Sequence, residues 1–116
     1  MSKRNLNGEF CAITDRMIAL YEKKNRDYGS AFTEEVKESG WGYATGLLGN
    51  KVRRVKNLLL KTDKPEVNES IEDTLVDLAN YTIMTLMEVR ASKALEAQEA
   101  KRRDAEDDED SVEAEE

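Results

Sequence analysis

The sequence predicts an all-α protein, a helical bundle followed by a disordered acidic C-terminal tail. Three observations carry this. Apolar residues recur at helical spacing through three long segments of the 116-residue chain. No alternating segment runs longer than a few residues, and neither a hairpin signal nor an internal repeat interrupts the pattern. Residues 104–116 hold nine acids and no base, a block that repels itself and buries nothing. The expected organisation is one all-α domain over residues 1–103 and a tail over 104–116.

The first helix is expected from about Leu6 to Lys24, with Leu6, Phe10, Ile13, Met17 and Leu20 or Tyr21 on one face. Residues 25–30 break that pattern, and Gly29 and Ser30 mark a stop and a loop. A short helix starts with Thr33 as its N-cap and acids in its first turn, and ends between Ser39 and Gly42, around Trp41. A second long helix covers about Tyr43 to Lys61. Residues 62–68, with the sole proline at Pro65, form a loop. The last helix starts near Asn68, capped by Asn68 or Ser70. It can extend to Arg103 over a polar but strongly helix-forming stretch.

The last helix is the most informative stretch. Ile71, Leu75, Leu78, Ala79, Thr82, Leu86 and Val89 share one face, and Val76, Ile83 and Met87 form a second apolar strip. A helix apolar on two sides is expected to be largely buried, and a second chain is expected to cover what a small monomer cannot. Glu69, Asp73, Asp77 and Asn80 run between the strips. Carboxylates beside buried surface need partners, because an unpaired buried charge costs several kcal/mol. The preceding helix offers cations. Its face of Ala44, Leu47, Leu48, Val52, Val55, Leu58 and Leu59 is edged by Lys51 and Arg54. Two readings follow. In one, Asp73 or Asp77 forms a structural salt bridge with Arg54 or Lys51. In the other, these groups line a mixed-charge pocket for a phosphorylated ligand, the cations on phosphate and the acids on Mg²⁺ or a base edge.

Composition excludes much else. The chain has no histidine and one cysteine, Cys11, so His- or Cys-based metal sites, His-assisted nucleophiles and internal disulfides are out. No apolar run is long enough for a membrane span, and the N-terminus lacks a signal-peptide apolar region, so a soluble cytoplasmic protein is expected. The net charge of −7 belongs to the tail, since residues 1–103 carry a small net positive charge. The basic cluster at residues 51–56 therefore reads as a solvated helix face rather than a nucleic-acid site. The glycines at 40, 42, 46 and 49 follow no strand and do not form a P-loop. Met84 and Met87 read as core filler.

Three blocks resemble a known family: residues 23–32 (LysLysAsnArgAspTyrGlySerAlaPhe), residues 47–58 around AsnLysValArgArg, and residues 69–84 around GluAspThrLeuValAspLeuAlaAsnTyr. The family is the largely phage-borne nucleotide-modification-associated domain, first type. The resemblance covers roughly residues 10–90. The family is itself distantly similar to MazG-like and dimeric dUTPase all-α NTP pyrophosphohydrolases. The resemblance implies a MazG-like bundle, a homodimer or tetramer, a nucleotide ligand and a phage source acting in the host cytoplasm. It adds Asp27 and Tyr28, the latter to stack on a base or to anchor a loop on Trp41. Those hydrolases hold Mg²⁺ with a GluXaaXaaGlu pair and a GluXaaXaaAsp pair. Here Thr74 stands three residues before Asp77, and the earlier segment is basic. Candidate metal ligands reduce to Asp73 and Asp77, with Glu69 beside them. The resulting site is Asp27, Tyr28, Lys51, Arg54, Asp73, Asp77 and Asn80. The expected function is nucleotide binding, in phage nucleotide metabolism and DNA modification or in sequestering a nucleotide. The alternatives are a Mg²⁺-dependent nucleoside triphosphate pyrophosphohydrolase and a helical protein-interaction module.

Overall fold

A computed structural model describes residues 3–28, 30–60 and 69–115, and it describes the side chains of these except 27, 28, 69, 70 and 110–115. Every described element is a helix: α1 Leu6–Tyr28, α2 Ala31–Ser39, α3 Trp41–Leu60 and α4 Glu69–Glu115. The chain forms two compact units, residues 1–84 and residues 85–116. None of the described helices is long and apolar enough to cross a membrane.

Local chemistry sets the helix ends. Asn5 caps α1: its Oδ1 accepts from the Gly8 N–H at 3.0 Å, satisfying one of the first orphan donors. Arg4 donates to both carboxylate oxygens of Glu9 in the first turn. The expected break at residues 25–28 does not occur. These residues, Asp27 and Tyr28 among them, form the last turn of α1 instead of a loop. Asn, Arg, Asp and Tyr are tolerated in a helix, and the glycine that follows them lies outside the described residues. The start of α2 is also earlier than expected. Ser30 takes the N-cap position without a side-chain bond, and Thr33 lies inside the first turn. Gly40 closes α2 at φ 74°, ψ −167°, a region open almost solely to glycine, and its N–H donates to the Val36 carbonyl at 2.8 Å. With that turn made by a single residue, Trp41 opens α3 and does not close α2. The loop expected at 62–68 and the cap at Asn68 lie outside the described residues, and Ser70 is already within α4.

The core of the first unit is small. Phe32 and Val36, one turn apart on α2, bury against Ala44 of α3, with Tyr43, Leu47, Tyr81 and Met84 packed around them. Met17, Ile71 and Val76 are the other buried apolar side chains among the described residues. The inner face of α3 is rotated from the expected one. Ala44 is fully buried and Leu58 half-buried, which puts Lys51, midway between them by heptad spacing, on the inner face and not at its edge. Val52 and Leu59, expected inside, are exposed. On α4 the wide strip divides: Ile71 is buried, Leu78 and Ala79 are half-buried, and Leu75 and Leu86 face solvent. Of the second strip only Val76 is buried, while Ile83 and Met87 are exposed.

The second unit is the continuation of α4. Its expected end at Arg103 is overrun, for the helix continues through the acidic residues to Glu115. Alanine and glutamate are strong helix formers, and the stretch leading into the acids carries an i,i+4 pair, Glu99 with Arg103 at 3.9 Å. Charge repulsion among the acids, on which the expectation of disorder rested, acts against these preferences. The side chains of residues 100–109 are exposed throughout.

Candidate functional site

The site lies in the first unit, where α1, α2, α3 and α4 meet around a cavity of about 400 Å³. Its apolar wall is aromatic. Phe32 of α2 sits between Tyr43 of α3 and Tyr81 of α4, with ring centroids 5.9 and 6.0 Å apart and interplanar angles of 50° and 37°. These tilted pairs suit the ring quadrupoles. Tyr21 of α1 adds a fourth ring, and Met84 and Ala31 fill the gaps. Burial, then the nearby Glu35 carboxylate and Tyr81, push the Tyr43 hydroxyl above its ordinary pKa, so it stays a neutral hydrogen-bonding group.

The polar wall comes from α1 and α4: Lys24, Asn25, Asp77 and Asn80. Lys24 Nζ donates to Asp77 Oδ1 at 3.0 Å, and Lys51 Nζ of α3 donates to Oδ2 of the same carboxylate at 3.3 Å. Burial pushes Asp77 up, but the hydrogen bonds and charges of the two lysines outweigh it and hold the carboxyl below its ordinary value. Asn80 Nδ2 donates to the Met17 carbonyl at 3.4 Å, pinning its amide on α1.

The other sequence-predicted residues divide. Lys51 and Asp77 meet as expected, and Asn80 lines the same cavity. Arg54 does not take the place expected of it on the cavity wall: its Nε donates to the hydroxyl of buried Thr74 at 3.0 Å. Asp73 is drawn away to Arg16 of α1, at 3.0 Å, in an exposed cluster that includes Glu72 at 3.7 Å. The side chains of Asp27, Tyr28 and Glu69 lie outside the described residues. Among the described residues no three carboxylates or thiolates come together. Sequence reasoning missed Lys24 and the aromatic wall. Lys24 had a signal: it follows Met17 by seven residues, so a cation falls in register with the apolar face of α1.

The family described as nucleotide modification associated domain 1 matches residues 24–89, more than half of the chain. The chain belongs to that family. The matched span opens at Lys24 and contains Phe32, Tyr43, Lys51, Asp77, Asn80 and Tyr81, so every charged group of the cavity falls within the family's domain. No curated protein and no solved structure matches the chain.

Proposed function

We propose that this nucleotide modification associated domain binds a nucleotide in the cavity of its first unit, and acts in phage nucleotide metabolism and DNA modification or by sequestering a nucleotide. The observation that carries the reading is the pairing of two walls. Aromatic faces accept a base by stacking, at about 1–3 kcal/mol per base. The same lining holds a lysine for phosphate, with Asn25, Asn80 and the Asp77 carboxylate to read polar edges. A volume of about 400 Å³ lies within the range of small-ligand clefts. To this we add a homodimer or larger, on the exposed apolar faces of the first unit, working in the cytoplasm.

Among the described side chains the donor set does not favour a resident Mg²⁺. Among the described residues one carboxylate, Asp77, lines the cavity, and each of its oxygens already accepts from a lysine. Asp73 is paired outside the cavity with Arg16. Where the MazG-like enzymes carry an acid, the Thr74 hydroxyl accepts from the Arg54 guanidinium, a cation where those enzymes hold a metal. This favours binding over hydrolysis.

A thermal-shift panel of nucleosides, nucleotides and cyclic nucleotides, with and without Mg²⁺, tests the reading. A ligand at a hundred times its Kd raises stability by about 2.7 kcal/mol, and that gain should vanish in Tyr81→Ala and shrink in Lys24→Gln for phosphorylated ligands. Pyrophosphate release from a dNTP would instead establish the hydrolase. Neither binding nor turnover would leave a helical interaction module.

A further inference from the structure

Resting on the nucleotide reading of the cavity, we infer that the preferred ligand carries a single phosphoryl group, a nucleoside monophosphate rather than a di- or triphosphate. The charge of the cavity sets the limit. Among the described residues one cation, Lys24, and one anion, Asp77, line it. Lys51 stands behind Asp77 and is committed to it. Arg54 and Arg16, the neighbouring guanidinium groups, are engaged by Thr74 and Asp73. The cavity can release one positive charge to a ligand. A phosphate monoester carries about −1.5 to −2 at neutral pH, which one lysine and the surrounding amides can meet. Further phosphoryl groups add charge that no described side chain of the wall answers, and uncompensated charge is disfavoured out of water.

The two lysines differ in a way that makes the release possible. Lys24 is half-exposed, at 47%, whereas Lys51 is 26% exposed. They hold opposite oxygens of Asp77. When Lys24 swings from Oδ1 to a ligand phosphate, Lys51 keeps its bond to Oδ2, so Asp77 is never left as an unpaired charge. Lys24 is the movable cation and Lys51 the fixed one. The base then lies against Phe32, Tyr43 and Tyr81.

The test is titration calorimetry of the full chain, without metal, against the 2′-deoxynucleosides, their 5′-monophosphates, their 5′-triphosphates and inorganic phosphate. For the base that binds, the monophosphate should bind at least tenfold more tightly than the triphosphate and than the nucleoside. Lys24→Gln should bring the monophosphate down to the affinity of the nucleoside and leave the nucleoside's own affinity unchanged. Lys24→Arg, which keeps the charge, should retain the preference, with circular dichroism confirming that both variants are folded. A triphosphate bound as tightly as the monophosphate, or more so, would overturn the inference while leaving a nucleotide site. So would a Lys24→Gln variant that weakens nucleoside and monophosphate equally. No binding by any probe would remove the nucleotide reading itself.

Discussion

At the scale of single residues, Asp77 organises the site, because its two oxygens tie α1 and α3 to α4 through Lys24 and Lys51. Its folded-state pKa is lowered. It therefore adds stability above the ordinary carboxylate value near 3.9, and that contribution is lost as pH falls through the lower folded value. Melting temperature should fall as the protein is acidified below about pH 5. Asp77→Asn should be less stable at pH 7 and show a flatter acid limb, checked by thermal melts from pH 2 to 7. An unchanged acid limb in the variant would assign the pH dependence elsewhere. At pH 7, Asp77→Ala also leaves the partly buried Lys51 unpaired, at a cost of about 1–3 kcal/mol. Half of this arrangement was legible in the sequence. Lys51 edges the expected apolar face of α3 and Asp77 runs between the strips of α4, so periodicity brought them within reach as one of the possible pairings, with Asp73 and Arg54 as the other candidates. Lys24 was hidden because α1 was expected to end there, and the cation then reads as a terminal charge rather than as part of the buried face. Thr74 was hidden for another reason. A neutral hydroxyl among acids looks like a missing carboxylate until its donor, Arg54, is seen beside it.

At the scale of elements, the helices were legible and their ends less so. Apolar periodicity located α1, α3 and α4, but the ends depend on single residues such as Asn5 and Gly40, whose roles need backbone angles to recognise. Gly40 makes the α2–α3 turn at a backbone conformation open almost solely to glycine, with no atom within 4 Å of where a Cβ would stand. Gly40→Ala should therefore cost about 1–3 kcal/mol through the backbone alone. Gly46, inside α3 and with equally open surroundings, gives the opposite sign: Gly46→Ala should stabilise by about 0.4–1 kcal/mol, because alanine loses less chain entropy on folding. Denaturant melts of the two variants check the pair, and equal shifts would mean that Gly40 does not hold its turn. The acidic end of α4 makes a further case. Its carboxylates lie at the negative end of the helix dipole, which disfavours the last turns, and the exposed side chains of residues 104–109 hold nothing in place. Truncation after Arg103 should leave the melting temperature of the remaining chain within a degree or two. A large drop would show that the segment supports the fold.

At the scale of the whole molecule, apolar side chains are left over. Among the described residues six apolar side chains are buried, whereas thirteen large hydrophobic ones are exposed. Ten of the thirteen belong to the first unit, and they are grouped. Leu6, Phe10 and Ile13 continue the buried face of α1 into solvent, at 65%, 70% and 54% exposure. Trp41, Val52 and Leu59 form one stripe of α3, and Leu75 and Ile83 lie exposed on α4. Scattered surface leucines need no explanation, but whole helix faces do. Covering one such side chain completely is worth about 1.5–3 kcal/mol, while association costs about 4–15 kcal/mol before any surplus appears. The half-exposed α3 stripe, counted once from each copy of a two-fold pair, barely meets that cost. Two stripes from each copy exceed it. A second copy of the chain should therefore cover more than one stripe, with the isologous pairing that two-fold symmetry imposes. Sedimentation at tens of micromolar should give a dimer or larger species, and a stable monomer would refute the expectation. Val52→Lys with Leu59→Lys, both at positions already solvent-exposed within the chain, should shift that species toward monomer without loss of helicity. If the double variant kept both its helicity and its oligomeric state, α3 would lie outside the seam, and α1 with α4 would be the faces to test next.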